Sequence, residues 1–215
     1  MPERPAAGLP AQKLSAGLEA LGLTLNEAQQ AQLLAYLKLL QKWNKTYNLT
    51  AISAPLEMIE KHLLDSLAIL PHLRGRRVLD IGSGAGLPGV PLAIAAPERS
   101  FVLLDANSKK TRFLLQVKGE LRLANLSVVH SRLADYRPDG SAFDVLTARA
   151  FASLTDLLAG AAHLFAAHTR LLAMKGDIPQ RELSDLPAGF RLEGITPLSV
   201  PGLDARRHLL CITPE

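Results

Sequence analysis

Apolar residues recur at helical spacing through the first third of the chain and then give way to short continuous apolar runs. Leu33, Leu37, Leu40 and Trp43 lie three or four apart, which predicts a helix to about Tyr47 that opens on a capping box of Thr24 and Glu27. A shorter helix is expected before it, ending at Leu21 ahead of Gly22, a natural helix stop. Leu56, Ile59, Leu63, Leu67 and Leu70 place a third on one apolar face from about Pro55. Residues 1–11 read as a loosely held tail. Residues 12–71 read as a helical extension too thin to hold a core of its own, so it should pack on the C-terminal part of the chain.

Beyond Pro71, strands are expected at 77–81, 101–105, 127–130, 143–148 and 170–175. They alternate with helices at 88–96, 108–123 and 153–166, and a short helix at 180–186 comes next. Such alternation predicts an α/β unit over 72–215 with a mostly parallel sheet covered on both faces. The last two strands, 191–200 and 207–213, have no helix between them and should form an antiparallel hairpin, giving seven strands in all.

The sharpest chemical signal is the run Val78-Leu79-Asp80-Ile81-Gly82-Ser83-Gly84-Ala85-Gly86-Leu87-Pro88-Gly89. An apolar strand enters a glycine-rich turn that opens a helix, where backbone can approach a ligand at the carboxyl ends of the strands. The frame Gly84-x-Gly86-x-x-Gly89 also satisfies the dinucleotide fingerprint, so glycines alone do not separate NAD from S-adenosylmethionine. Asp80 before the turn and glycines at alternate positions favour the latter. Asp105, ending the second strand, can accept both hydroxyls of an adenosine ribose; its competing role is a helix cap, for which Asn107 and Ser108 are rivals. Leu133 and Ala134, after the third strand, are suited to flank an adenine ring.

Composition narrows the classes little. The chain is 48% hydrophobic and 5% aromatic, with a net charge of +4. The first 71 residues carry equal numbers of basic and acidic side chains, so the excess lies on the C-terminal part: 18 of the 24 Lys and Arg against 14 of the 20 Asp and Glu. That permits a polyanionic partner without requiring one. The single cysteine, Cys211, is expected to be a buried, inert thiol, and neither a secretion signal nor a membrane span is evident. A cytoplasmic enzyme without metal, and a monomer without an obligatory protein partner, is the expectation.

Six motifs in one order then carry a resemblance: Asn44-Lys45-x-Tyr47-Asn48-Leu49-Thr50, His62-Leu63-Leu64-Asp65-Ser66, the glycine turn through Pro91, Arg149-Ala150-Phe151-Ala152-Ser153, Lys175-Gly176 and Arg207-His208-Leu209. Over about Leu40 to Leu210 the chain resembles the bacterial 16S rRNA guanine-N7 methyltransferase family, also called glucose-inhibited division protein B. The resemblance implies a Rossmann-like class I methyltransferase with an N-terminal helical extension, using S-adenosyl-L-methionine to methylate N7 of one guanine in 16S rRNA or the small ribosomal subunit. It puts cofactor contacts on Gly82, Leu87, Leu133, Ala134 and Arg149, to which the turn itself adds Gly84 and Gly86, and the second strand Asp105. Leu133-Ala134-Asp135 stands where relatives often have Val-Glu-Glu, and Ala148 where Ser often precedes the arginine.

No residue is assigned as acid or base, because N7 has a free lone pair and no proton to lose. Arg149 and Lys175, at the carboxyl edge of the sheet, are candidates for positioning guanine O6, a phosphate or the cofactor carboxylate. Lys109, Lys110, Arg206, Arg207 and His62 are candidates for holding RNA, and Asp65, a turn from His62, is expected on the same helix surface. Two rival readings are an NAD-dependent oxidoreductase, for which the closing hairpin leaves no substrate domain, and an RNA-binding assembly factor without catalysis.

Overall fold

A computed structural model describes residues 8–151 and 153–215. The expected tail therefore lies largely outside the described residues, but its last part is helical: α1 spans Leu9–Ala20, with Pro10 in the first turn where its missing N–H costs nothing. Helix α2 covers Glu27–Tyr47. Its cap is not the Thr24/Glu27 pair; Asn26 and Gln29 form the capping box instead. The reason is tertiary. The Gln29 side-chain amide donates to the carbonyls of Ile94 and Ala95 (3.0 and 3.2 Å) while its oxygen accepts from Asn26 N–H, so docking and capping select the same residue. The third helical segment is composite: α3 (Pro55–Met58), a π-helical turn (Ile59–Leu64) and α4 (Asp65–Leu67).

The sheet holds β1 (Arg77–Ile81), β2 (Ser100–Asp105), β3 (Leu126–His130), β4 (Val145–Arg149), β5 (Arg170–Lys175), β6 (Phe190–Pro197) and β7 (His208–Pro214). Their order is β3-β2-β1-β4-β5-β7-β6, with β1 to β5 parallel and β7 antiparallel to both of its neighbours. This is the expected fold class, with β1 and β5 at their expected bounds and the ends of the other strands displaced by at most three residues. The intervening helices are α5 (Gly89–Ala95), α6 (Ser108–Glu120), α7 (Leu154–Ala161, continued by a 3₁₀ turn to Leu164) and α8 (Gln180–Ser184).

Alternation along the strands splits the core between the two faces. Leu79, Ile81 and Leu104 pack with Leu154, Leu157 and Leu158 of α7. Val78, Phe101 and Leu103 join the other face, whose cluster also contains Leu14, Leu33, Leu40, Leu63 and Leu67 from the helical extension. The extension thus completes the sheet's second cover. Direct hydrogen bonds fix the docking: Gln32 donates to the Leu121 carbonyl (3.0 Å), and the buried Tyr36 hydroxyl donates to the Ala85 carbonyl (2.6 Å) inside the glycine turn.

The strand order reverses between β1 and β4, and open α/β sheets bind ligands at this switch point. Ile81 pairs with Ala148, so Gly82 and Arg149 leave the sheet side by side. Among the described residues no helix is long and apolar enough to cross a membrane.

Candidate active site

The glycine turn folds back on β2. Gly82 and Ser83 donate to the Leu104 carbonyl (2.8 and 3.1 Å), and Gly84 N–H donates to Asp105 Oδ2 (2.8 Å). Gly84 has φ +57°, a left-handed conformation, and a Cβ there would meet nothing closer than 3.8 Å. Gly86 differs: a Cβ would stand 2.6 Å from Val90 and 2.8 Å from Leu114. It is a packing glycine, buried behind the turn, and Leu87 is buried with it. Of the three glycines named for the cofactor, Gly82 and Gly84 have open space beside them, whereas the place of a side chain at Gly86 is taken by Val90 of α5 and Leu114 of α6.

In front of this turn lies a cleft of about 330 Å³, lined by Ile81, Gly82, Leu104, Asp105, Ala106, Lys110, Ser131, Arg132, Leu133 and Phe151. Asp105 uses one oxygen for Gly84 N–H and the other for Asn107 N–H (2.8 Å). It is not the helix cap, which is Asn107. An ionised carboxylate has about four acceptor positions, so capacity remains for ribose hydroxyls. Leu104 and Leu133 supply apolar walls for an adenine. Ala134, next to Leu133, is exposed, with its carbonyl taken by Arg137 (2.8 Å). The cleft thus fits an adenosine: acceptor for the sugar, apolar slot for the ring, open glycine backbone for the chain beyond.

At the other side of the switch point four of the six motifs converge. Asn44 closes the loop after α2 by accepting from Thr50 N–H (2.8 Å) and donating to the Thr50 carbonyl (2.9 Å). The Thr50 hydroxyl is 2.9 Å from His62 Nε2. Asp65 is 2% exposed, with Oδ2 2.9 Å from Arg149 Nη1 and Oδ1 accepting from Arg207 Nε at 2.9 Å. The structure therefore corrects two placements. His62 is 2% exposed and Asp65 faces arginines rather than solvent, so neither presents a surface to RNA. Arg207 is committed to Asp65, whereas Arg206 pairs with Asp177 in the open, at 3.2 Å.

Lys175 is drawn inward too. Its Nζ lies 3.4 Å from the Phe151 carbonyl and 3.4 Å from Glu182, which also accepts from Leu154 N–H at 2.6 Å. Lys175 thus ties α8 to the segment after β4. That segment turns at Ala150 with φ +57°, unusual for a residue with a Cβ. Its Phe151 ring comes within 3.8 Å of where a Cβ at Gly82 would stand. Lys110 lines the cofactor cleft, 3.8 Å from Asp105, while Lys109 is exposed beside it. Sequence reasoning assigns no role to Ile81, Leu104, Ala106, Ser131, Arg132 and Phe151, which also line the cleft. Phe151 lies inside a motif, and its aromatic type is the available signal.

Burial dominates the ionisations. It lowers the His62 pKa to about 4, with the Lys61 backbone opposing and Arg149 assisting, so His62 is neutral near pH 7. It raises Asp80 to about 6 against hydrogen bonds from Thr147, Ser83 and Gly89. It raises the Cys211 thiol, with help from Glu193, to about 12, which keeps this half-buried side chain protonated near pH 7. For His62 the depressed folded pKa gives stability that is full above the unfolded value of 6.5 and lost as pH falls toward about 4. His62→Gln should therefore close its gap to wild type as pH drops from 7 to 4, by at most about 3 kcal/mol. Urea denaturation of both proteins across that range checks this, and a constant gap would place the His62 titration elsewhere. Asp80 titrates in both proteins, with the opposite sign, and drops out of the comparison.

Residues 29–210 match the family described as GidB, rRNA small subunit methyltransferase G. Among curated relatives, the ribosomal RNA small subunit methyltransferase G of Stutzerimonas stutzeri (strain A1501) is 56% identical over 204 residues, covering 94% of both chains. Its counterpart in Nitrosococcus oceani is 56% identical over 202 residues, again covering 94% of each. Solved structures share the fold at low identity. An S-adenosylmethionine-dependent methyltransferase from Aquifex aeolicus has a TM-score of 0.56 at 16% identity, over 73% of this chain and 93% of that one. The mitomycin 7-O-methyltransferase MmcR gives 0.61 at 14%, over 96% and 67%. With motifs, site and near-complete coverage in agreement, this chain belongs to the rRNA small subunit methyltransferase G family.

Proposed function

We propose that this enzyme transfers the methyl group of S-adenosyl-L-methionine to N7 of a guanine in 16S rRNA. The observation that carries the reading is the cleft of about 330 Å³ at the switch point, lined by Asp105 and Leu133, with Gly82 open to it and Arg149 leaving the sheet beside it. When bound, the cofactor supplies an electrophilic methyl on a sulfonium. Gly82 and Gly84 would leave room for it, Asp105 would accept from its ribose hydroxyls, and Leu133 would pack against its adenine. Arg149 supplies guanidinium donors where the cofactor carboxylate or guanine O6 would lie. Guanine offers N7 and O6 as acceptors on one edge, so a donor must engage O6 and leave N7 free. Positioning then provides the catalysis. Lys175 acts indirectly, by holding the Phe151 segment at the cleft's rim.

N7 in an A-form helix lies in a groove that side chains do not reach, so the guanine must be unstacked or already exposed in a loop. Lys109 and Arg206, both exposed, are placed to hold flanking phosphates, and Lys110 can serve them from the cleft edge. The enzyme acts as a single chain in the cytosol, with residues 12–71 as extension and 72–215 as catalytic unit. Since no proton is removed, kcat should stay within about threefold between pH 6.5 and 9. A bell-shaped profile would show that an acid or base takes part.

The direct test is transfer of labelled methyl from S-adenosylmethionine to 16S rRNA and to small subunits, followed by nucleoside analysis. Label in 7-methylguanosine supports the reading; label in another base or in protein overturns it. Calorimetry with NADH separates the oxidoreductase rival, which requires NADH binding and no S-adenosylmethionine binding.

A further inference from the structure

Asp65 sits in the helical extension, yet its carboxylate is the point at which two motif arginines of the sheet's rim meet. Arg149, from the end of β4, reaches Oδ2; Arg207, just before β7, reaches Oδ1. Both arginine side chains are about one quarter exposed, whereas the carboxylate is 3% exposed. Two guanidiniums thus share one buried negative charge, leaving one positive charge over. The Arg149–Asp65 pair is also incomplete: Nη1 is at ion-pairing distance but is buried with no aligned hydrogen bond. Arg207 spends another donor on the Arg206 carbonyl (2.9 Å).

The local chain is shaped to deliver this carboxylate. The π-helical turn Ile59–Leu64 directly precedes Asp65, and such insertions re-aim the residues downstream. Leu64 packs against Gly17 of α1, where an added Cβ would collide with the leucine, so the turn is locked from behind. His62, one turn earlier, is fixed on Thr50 and adds no charge. A solvent-facing ion pair would need none of this, and a buried carboxylate with a single arginine would already be neutral.

We propose that Asp65 is a positioning residue for methyl transfer: it holds Arg149 and Arg207 in a buried triad whose surplus positive charge faces an anionic group of the reactants. The inference rests on the function proposed above. Asp65 touches neither cofactor nor guanine; it acts through Arg149. Removing its charge leaves two adjacent guanidiniums without a counter-ion, and Arg149 turns away from the position that the reaction needs.

The test is a cycle of Asp65→Asn, Arg149→Ala and the double variant, assayed for kcat, S-adenosylmethionine affinity and thermal unfolding with 16S substrate. Asp65→Asn should lower kcat at least thirtyfold, and the double variant should be no more than threefold below Arg149→Ala alone, because the two changes remove the same effect. Asp65→Glu, which keeps the charge, should recover at least tenfold over Asp65→Asn. A purely structural role would instead multiply the two losses and move kcat in step with Tm. If Asp65→Asn does not fold, Asp65→Ser, which also removes the charge, takes its place alone and on Arg149→Ala. The proposal is overturned if the variant that removes the Asp65 charge stays within threefold of wild type or if the losses multiply. Wild-type protein that transfers no methyl in the same assay would instead overturn the function on which the proposal rests.

Discussion

Gly84→Val should reduce S-adenosylmethionine affinity by more than about 100-fold while leaving the fold in place. Gly84 holds φ +57°, where a β-branched residue pays well over the roughly 1–2 kcal/mol of an ordinary L-residue in that region. Its surroundings are open, with Gly82 O at 3.8 Å and Lys110 Nζ at 3.9 Å from a Cβ, so the protein can accommodate the new atoms without losing its core. On the function proposed above, the space taken would be the cofactor's. The turn would also be pulled from Asp105, whose carboxylate accepts Gly84 N–H and is placed for the ribose. Titration calorimetry alongside far-UV circular dichroism checks this; tight binding by a folded Gly84→Val would move the cofactor off the glycine turn.

Arg149→Ala should lower kcat/KM by about 100-fold, the loss of one charge-assisted contact of about 3 kcal/mol. Stability should change little, because Asp65 keeps Arg207 as its partner and the ion pair becomes one to one. The salt dependence of RNA binding should also persist, since Arg149 is largely buried at the rim of the sheet rather than spread on the phosphate-facing surface. Steady-state kinetics together with RNA affinity at several salt concentrations separates these effects. A salt slope reduced by about one unit with unchanged kcat would reassign Arg149 to the RNA backbone.

The sheet could be read from sequence because parallel strands buried on both faces appear as continuous apolar runs, and Leu171–Met174 is such a run. The closing hairpin followed from the missing helix between its strands. The ends of elements were less legible, since tertiary partners choose them. Gln29 caps α2 because it also reaches Ile94 and Ala95, and no local rule contains that contact. The same limit hid the site's polar interior. His62 and Asp65 have helix-surface chemistry, and only partners 12, 84 and 142 residues away make them buried. Gly86 satisfied a ligand-binding pattern, yet Val90 and Leu114 occupy the place its side chain would take. Spacing identifies the turn; packing decides which of its glycines face the cleft.

Mass mapping of 16S rRNA from cells carrying or lacking this gene tests the central claim most directly. One guanine should lose a methyl on deletion and regain it with the wild-type gene but not with Gly84→Val. A 16S rRNA whose methylation is identical with and without the gene would contradict the account.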